Sequence, residues 1–436
     1  MIKNNLLGIL SFFVWMSFTF SCLSFERTLT KEDEKTIISE ANKHLEGYLR
    51  GDVSKSSSIT WDEFLSRMRS DILNLHSVED IVGYAQTRIA FDHRRKPSIE
   101  EITAYENTLM AEFPHFAKSI ELMSDSCYSC SDSLCYYNGR PVNIVFYYHY
   151  RYILQCLSYI KNPKTICEIG SGYGAIARLW TLNPICASDM YILLDFPECL
   201  FFAEVFLKAN FIHDEKVVVL HIDDVAPEEL THLSKLYKVI LLCPVGKEKL
   251  LQSIPIDLVT NTGSMQEMTQ EWIDYWMQWL DQSKAKYFYS LNYFGLEFTR
   301  KPSHSANTYA PRLSNQWVSL LKTTKVPFCP PFSVGSTFAE IIAERNPDAF
   351  SREALRSNFW VALDQKLDMQ GFLDCLDILR LCPEEDLIWA LVQKISYDMR
   401  CVPQETYYLV EWLKKHGSVS FLMDKSDLLN EYGNID

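Results

Sequence analysis

The chain has 436 residues, 47% of them hydrophobic, which is enough for two or three domains with a sizeable core. A formal net charge of −14 with no Lys/Arg-rich run excludes the basic footprint that polyanion binding needs, so no nucleic-acid partner is expected. Thirteen cysteines, an odd number scattered through apparent strands and helices, read as small buried hydrophobes of a reducing compartment, not as a disulfide framework.

In chain order, residues 1–28 form an apolar amino-terminal segment in which Leu6 to Phe25 carry no charge. That length can span a bilayer or act as the apolar region of a secretory signal. Two further readings stay open: an apolar helix covering the domain, or an over-long start with Met16 as the true one. Ser21-Cys22 fits a lipoprotein cleavage site poorly because Thr19 and Phe20 precede it, so export is the less favoured reading. A cytoplasmic protein is expected, membrane-tethered if the segment is an anchor.

Residues 29–140 are expected to be a helical region. Leu45, Tyr48 and Leu49, then Phe64, Met68, Ile72 and Leu75, recur at three- and four-residue spacing. Ser124 to Asn138 reads as a loop. Within it, Cys127-x-x-Cys130 with Cys135 lacks a fourth ligand at zinc spacing, His149 being the one candidate, and no metal site is expected. Tyr147 to Ile160 reads as an aromatic-rich helix whose stripe Tyr148, Tyr152 and Tyr159 belongs to a core rather than a substrate platform.

The next stretch, Ile166-Cys167-Glu168-Ile169-Gly170-Ser171-Gly172-Tyr173-Gly174-Ala175, reads as a buried strand entering a glycine-rich turn and then a helix. Glycines at this spacing let the chain turn sharply and let a ligand lie directly on the backbone. A dinucleotide fingerprint would be spaced G-x-G-x-x-G, which this turn is not. A second strand, Met190 to Asp195, again ends in a carboxylate, about 20 residues on, the interval of one βα unit whose acidic residue bonds a ribose. A carboxylate suits that place because it accepts hydrogen bonds from both vicinal hydroxyls.

Further strands are expected at Val217–Leu220, Lys238–Leu242, Ile256–Thr260 and Lys286–Ser290, with a helix carrying Trp272, Tyr275, Trp276 and Trp279 between the last two. Strands alternating with helices imply an α/β, Rossmann-like, doubly wound and mostly parallel sheet, with helical extensions at both ends. Ligands in such sheets lie beyond the carboxyl ends of the strands, where Glu168, Asp195 and Asn261 fall. Residues 346–436 are expected to be a helical appendage, patterned by Phe372, Leu373, Leu376, Leu379 and Leu381, then Leu387, Leu391 and Ile395.

The acidic-x-Gly-x-Gly-x-Gly order of Glu168 to Gly174 resembles the first motif of class I S-adenosylmethionine-dependent methyltransferases. Two further blocks narrow the likeness. Leu194-Asp195-Phe196-Pro197-Glu198, followed by Ala203-Glu204-Val205-Phe206-Leu207, and Asp257-Leu258 through Asn261 to Ser264-Met265-Gln266-Glu267-Met268, are similar to segments of the sugar O-methyltransferase family. The resemblance spans roughly residues 140 to 345, and the methyltransferase domain is expected over 141–345. It implies S-adenosyl-L-methionine as cofactor, held by Glu168, Gly170, Ser171, Gly172, Gly174, Asp195 and Asn261, and a small-molecule or glycan hydroxyl as acceptor. A cofactor- or partner-binding protein without turnover is the alternative.

Methyl transfer to a hydroxyl needs two aligned reactants and a group that removes the hydroxyl proton. Glu267, on the turn after the Asn261 strand, and His304, in the polar stretch Lys301 to Tyr309, are the candidate bases. A structural role for Glu267, capping or pairing with the following helix, stays equally open. An N-methyltransferase is disfavoured, since Asn261-Thr262-Gly263 lacks the Pro-Pro-aromatic turn typical of many such enzymes.

Overall fold

The computed structural model describes residues 29–50, 59–89, 96–128, 133–186, 188–294, 313–314, 316–323 and 337–345, together with Cys375, Ile378, Leu387, Ala390 and Leu391. It divides into two compact units, with the boundary between Ile254 and Pro255.

The first unit opens with helices α1 (Lys31–Arg50), α2 (Ile59–Ile72), α3 (Val78–Arg88), α4 (Ile99–Glu112) and α5 (Ala117–Leu122). Their starts follow local chemistry. Ser77 accepts the Asp80 N–H at the head of α3, and Ser98 with Glu101 makes a reciprocal capping box on α4. Helix α1 buries Ile37, Ala41, Leu45 and Tyr48, one stripe at four- and three-residue spacing. A short hairpin, β1 (Cys135–Tyr137) and β2 (Arg140–Val142), then leads into α6 (Ile144–Tyr159). Asn143 caps α6 by accepting the Phe146 N–H at 2.7 Å, three residues earlier than the aromatic run alone suggested.

Four parallel strands follow: β3 (Thr165–Ile169), β4 (Met190–Asp195), β5 (Val217–His221) and β6 (Lys238–Pro244). They lie in the order β5-β6-β4-β3, so β6 inserts between two strands that precede it in the chain. Helices α7 (Ala175–Leu182), α8 (Pro197–Phe211) and α9 (Pro227–Leu236) make the crossovers. Every residue of β4 is buried, as a strand covered on both faces must be. Helix α8 is buried over almost its whole circumference, and α1, α2 and α3 pack on it.

The second unit contains β7 (Leu258–Thr262), α10 (Gln270–Gln282) and β8 (Tyr287–Phe294), with β7 parallel to β8. Strand β10 (Thr337–Arg345) runs antiparallel between β8 and β9 (Trp317–Thr323). Helices thus alternate with mostly parallel strands, and the fold class is α/β and Rossmann-like, as expected.

Three expectations need correction. The loop expected over Ser124–Asn138 ends in β1, because Asn138-Gly139, at φ 50° and 76°, forms a two-residue hairpin turn with both residues left-handed. Tyr148 and Tyr152 are buried as expected, but Tyr159 is 41% exposed at the end of its helix. The strand expected from Ile256 starts at Leu258. The apolar segment 1–28, Cys130 of the Cys127-x-x-Cys130 pair, and His304 lie outside the described residues. Among those described, no helix is long and apolar enough to cross a membrane. The five described residues of the carboxyl-terminal region are helical, with Cys375, Leu387 and Leu391 fully buried.

Candidate cofactor-binding site

Strand β3 brings Glu168 to its last turn of pleat and hands the chain to Gly170. Gly170, Gly172 and Gly174 all have positive φ, at 72°, 56° and 82°. The last two differ in what surrounds them. A Cβ on Gly174 would stand 2.9 Å from Leu207 Cδ1 and 3.2 Å from Leu193 Cδ2, so this glycine lets α7 start tight against α8 and β4. A Cβ on Gly172 would meet only Ile89 Cγ2, at 3.6 Å. Gly174 serves packing, and Gly172 leaves its backbone open to close approach.

Asp195, the last residue of β4, ties the turn to its neighbour strand. One carboxylate oxygen accepts the Gly172 N–H at 2.7 Å and the other accepts the Phe196 N–H at 2.7 Å. Glu168 accepts a hydrogen bond from the Tyr191 hydroxyl at 2.8 Å. Both carboxyls are buried, and burial shifts both upward. Asp195 is pushed up to about 6 by desolvation, against the two backbone N–H bonds that favour its charge. Glu168 is pushed up to about 8 by desolvation, and the charge of Asp195 adds to the rise while the Tyr191 bond opposes it. The Ser171 hydroxyl oxygen is buried and has no hydrogen-bond partner.

This is an incomplete polar environment at the end of a parallel sheet. Two carboxyls whose charged forms burial disfavours gain from a ligand bringing hydroxyl or ammonium donors, and the orphaned Ser171 hydroxyl wants a partner. A ribose and a zwitterionic amino acid supply those groups. The residues present therefore fit S-adenosylmethionine.

In the second unit, Asn261 is fully buried near the end of β7. Its amide nitrogen donates to Ser264 Oγ at 2.5 Å. Its amide oxygen accepts the Met265 N–H at 3.2 Å and an N–H of the Asn292 side chain at 2.9 Å. Asn292 in turn accepts the Gln266 N–H at 3.2 Å. The two asparagines shape the turn that carries Glu267, which ends a short 3-10 segment, Met265–Glu267, and is half-buried. Asn261 thus spends these bonds on the turn and on the neighbouring strand β8.

Of the expected site residues, Glu168, Gly170, Ser171, Gly172, Gly174 and Asp195 come together in the first unit, and Asn261 and Glu267 share one turn of the second. Tyr191 and Asn292 were missed. Each follows the alternation of a strand already recognised, so register alone could have found them. A cluster of His44, Glu204 and His221 was also missed, His44 lying 160 residues before Glu204.

No family model and no curated protein matches this chain. Solved structures do. The small RNA methyltransferase HEN1 is 12% identical with a TM-score of 0.32, over 46% of this chain and 26% of that one. The Bacillus subtilis M1A22 tRNA methyltransferase TrmK is 14% identical with a TM-score of 0.29, over 64% of this chain and 96% of that one. EvdMO1 is 12% identical with a TM-score of 0.29, over 58% of this chain and 50% of that one. The chain spans only about a quarter of HEN1 and half of EvdMO1.

Proposed function

We propose that the chain is an S-adenosylmethionine-dependent O-methyltransferase whose acceptor is a hydroxyl of a small molecule, a sugar or glycan being the favoured class. The observation that carries the reading is the turn at Gly170–Gly174, with Asp195 holding the Gly172 N–H and the Ser171 hydroxyl orphaned beside it. Asp195 would take the ribose hydroxyls, and the open face of Gly172 would take the amino-acid part. Glu168, ionised when a cation lies near, would complement the ammonium group. The cofactor supplies an electrophilic methyl group on a sulfonium.

What the chain must add is alignment and a proton acceptor for the attacking hydroxyl. Glu267 is the proposed base, on the strength of its place on the turn after β7; His304 is the second candidate. The sugar class rests on the resemblance of the Asp195–Leu207 and Asp257–Met268 blocks, and the net charge of −14 weighs against RNA as acceptor.

Calorimetric titration with S-adenosylhomocysteine tests the cofactor site. A donor-labelled screen of sugars, with structured RNA as a parallel arm, tests the acceptor. Binding with turnover on a sugar supports the reading. Label on RNA alone would replace the acceptor class, and binding without turnover on any acceptor favours the non-catalytic alternative. No binding would end the reading altogether.

A further inference from the structure

Three elements of the first unit converge at a second polar centre. Helix α1 contributes His44 and Tyr48, α8 contributes Glu204 and Lys208, and β5 ends in His221. Glu204 has no exposed surface, and His221 is buried. Glu204 Oε2 stands 2.8 Å from His221 Nε2 and 3.1 Å from His44 Nδ1. All three ligand atoms lie within 4.8 Å of one another.

The geometry points to a site for a divalent transition-metal ion of the zinc type, held by His44 Nδ1, His221 Nε2 and Glu204 Oε2. Two imidazole nitrogens and one carboxylate oxygen are the donor set of that ion class. Ligand atoms around a tetrahedral ion with bonds of about 2.0–2.1 Å lie about 3.3 Å apart, so the two contacts to Glu204 need to open by only a few tenths of an ångström.

The surroundings carry the argument further, because each ligand already has an outer partner. His221 Nδ1 is 2.7 Å from the Tyr48 hydroxyl, and His44 Nε2 is 3.5 Å from Asp224. The other oxygen of Glu204 accepts from Lys208 Nζ at 2.6 Å, and Lys208 also holds Glu40 at 2.8 Å. His44 Nδ1 also stands 3.0 Å from Oε1, so an ion bound through Oε2 alone keeps the lysine bond in place. Outer partners of this kind fix which nitrogen of each histidine faces the ion. Asp224 adds negative charge, and the His44 side chain, 24% exposed, leaves the cluster reachable from solvent.

The ion would clamp α1 to α8 and β5, a structural role independent of the proposed methyl transfer. The full chain, stripped with a chelator under reducing conditions, should be titrated with Zn2+ against a chromophoric chelator and separately with Co2+. One tight equivalent is expected, with cobalt d–d bands and no thiolate-to-cobalt charge transfer. His44→Ala, at the partly exposed ligand, should weaken binding at least roughly tenfold, and Tyr48→Phe by about 10–100-fold. Far-UV circular dichroism identifies any variant that misfolds, and the cobalt spectrum of the unaltered chain decides the matter if one does. Failure of the unaltered chain to bind, binding only through thiolates, or unchanged affinity in a folded His44→Ala variant would each overturn the site.

Discussion

Asp195 joins the two chemical demands on the glycine turn, since it fixes the backbone through Gly172 and must also receive a ligand. Its carboxyl, pushed up to about 6 by burial, gives the site a pH signature. Ionised, it accepts hydroxyl hydrogen bonds at both oxygens; protonated, it loses acceptor capacity. Affinity for S-adenosylhomocysteine should therefore fall as pH drops through about 6, and titrations with Asp195→Asn should show that slope flattened. Asp195→Ala should weaken binding by about 1–3 kcal/mol near neutrality, the range for hydrogen bonds to a charged group. A dissociation constant unchanged within about twofold would remove Asp195 from the site. The glycines separate in the same way. Both Gly172→Ala and Gly174→Ala place a side chain at positive φ, costing about 1–2 kcal/mol each. Only Gly174→Ala adds crowding, against Leu207 and Leu193. It should show the larger drop in melting temperature, whereas Gly172→Ala should lose cofactor affinity at smaller cost in stability. Equal thermal shifts, with binding retained in the Gly172 variant, would contradict this division of roles.

At the level of elements, the turn after β7 is held by Asn261 on β7 and Asn292 on its parallel neighbour β8, the Asn292 amide donating to the Asn261 amide oxygen and each asparagine accepting a backbone N–H of the turn. That scaffold gives Glu267 a fixed backbone, and a general base typically contributes about 10²–10⁴-fold to rate. Glu267→Gln should cut turnover by about that factor while leaving cofactor affinity and melting temperature nearly unchanged. A lowered melting temperature with turnover per folded molecule preserved would assign Glu267 a structural role instead. The elements themselves were readable to unequal degrees. Strand β4 was read to its exact ends because an unbroken apolar run stops at Asp195-Phe196-Pro197, where proline can only open a helix. The Asn138-Gly139 hairpin was just as local, a turn signal hidden in a polar, cysteine-rich stretch. The order β5-β6-β4 was not readable, since β6 inserts by tertiary pairing that no strand pattern encodes. Nor was the meeting of His44 with Glu204, 160 residues apart, which depends on how α1 lies on α8.

For the molecule as a whole, the helices before residue 141 have a consequence for where the chain can be cut. The sequence alone suggested a boundary between a helical region, 29–140, and a domain expected from the family resemblance over 141–345. Yet α8, inside the latter, is buried on nearly every side, partly by α1, α2 and α3. Charged groups bind the same contact: Arg69 on α2 pairs with Glu198, which has almost no exposed surface, and Lys208 bridges Glu40 and Glu204. Removing the amino-terminal helices would strip Ile37 and Leu45 from that face, at about 1.5–3 kcal/mol for each buried side chain. It would also leave the buried Glu198 without Arg69, and Lys208 without Glu40. Those losses are comparable with the whole stability of a typical domain, about 5–15 kcal/mol. A fragment covering residues 141–345 should therefore show no cooperative thermal transition and should bind a hydrophobic dye, whereas the full chain should unfold cooperatively. A sharp transition in the fragment, close to that of the full chain, would show that the helices are a dispensable addition. Loss of cooperativity would make them part of the structure on which the glycine turn stands.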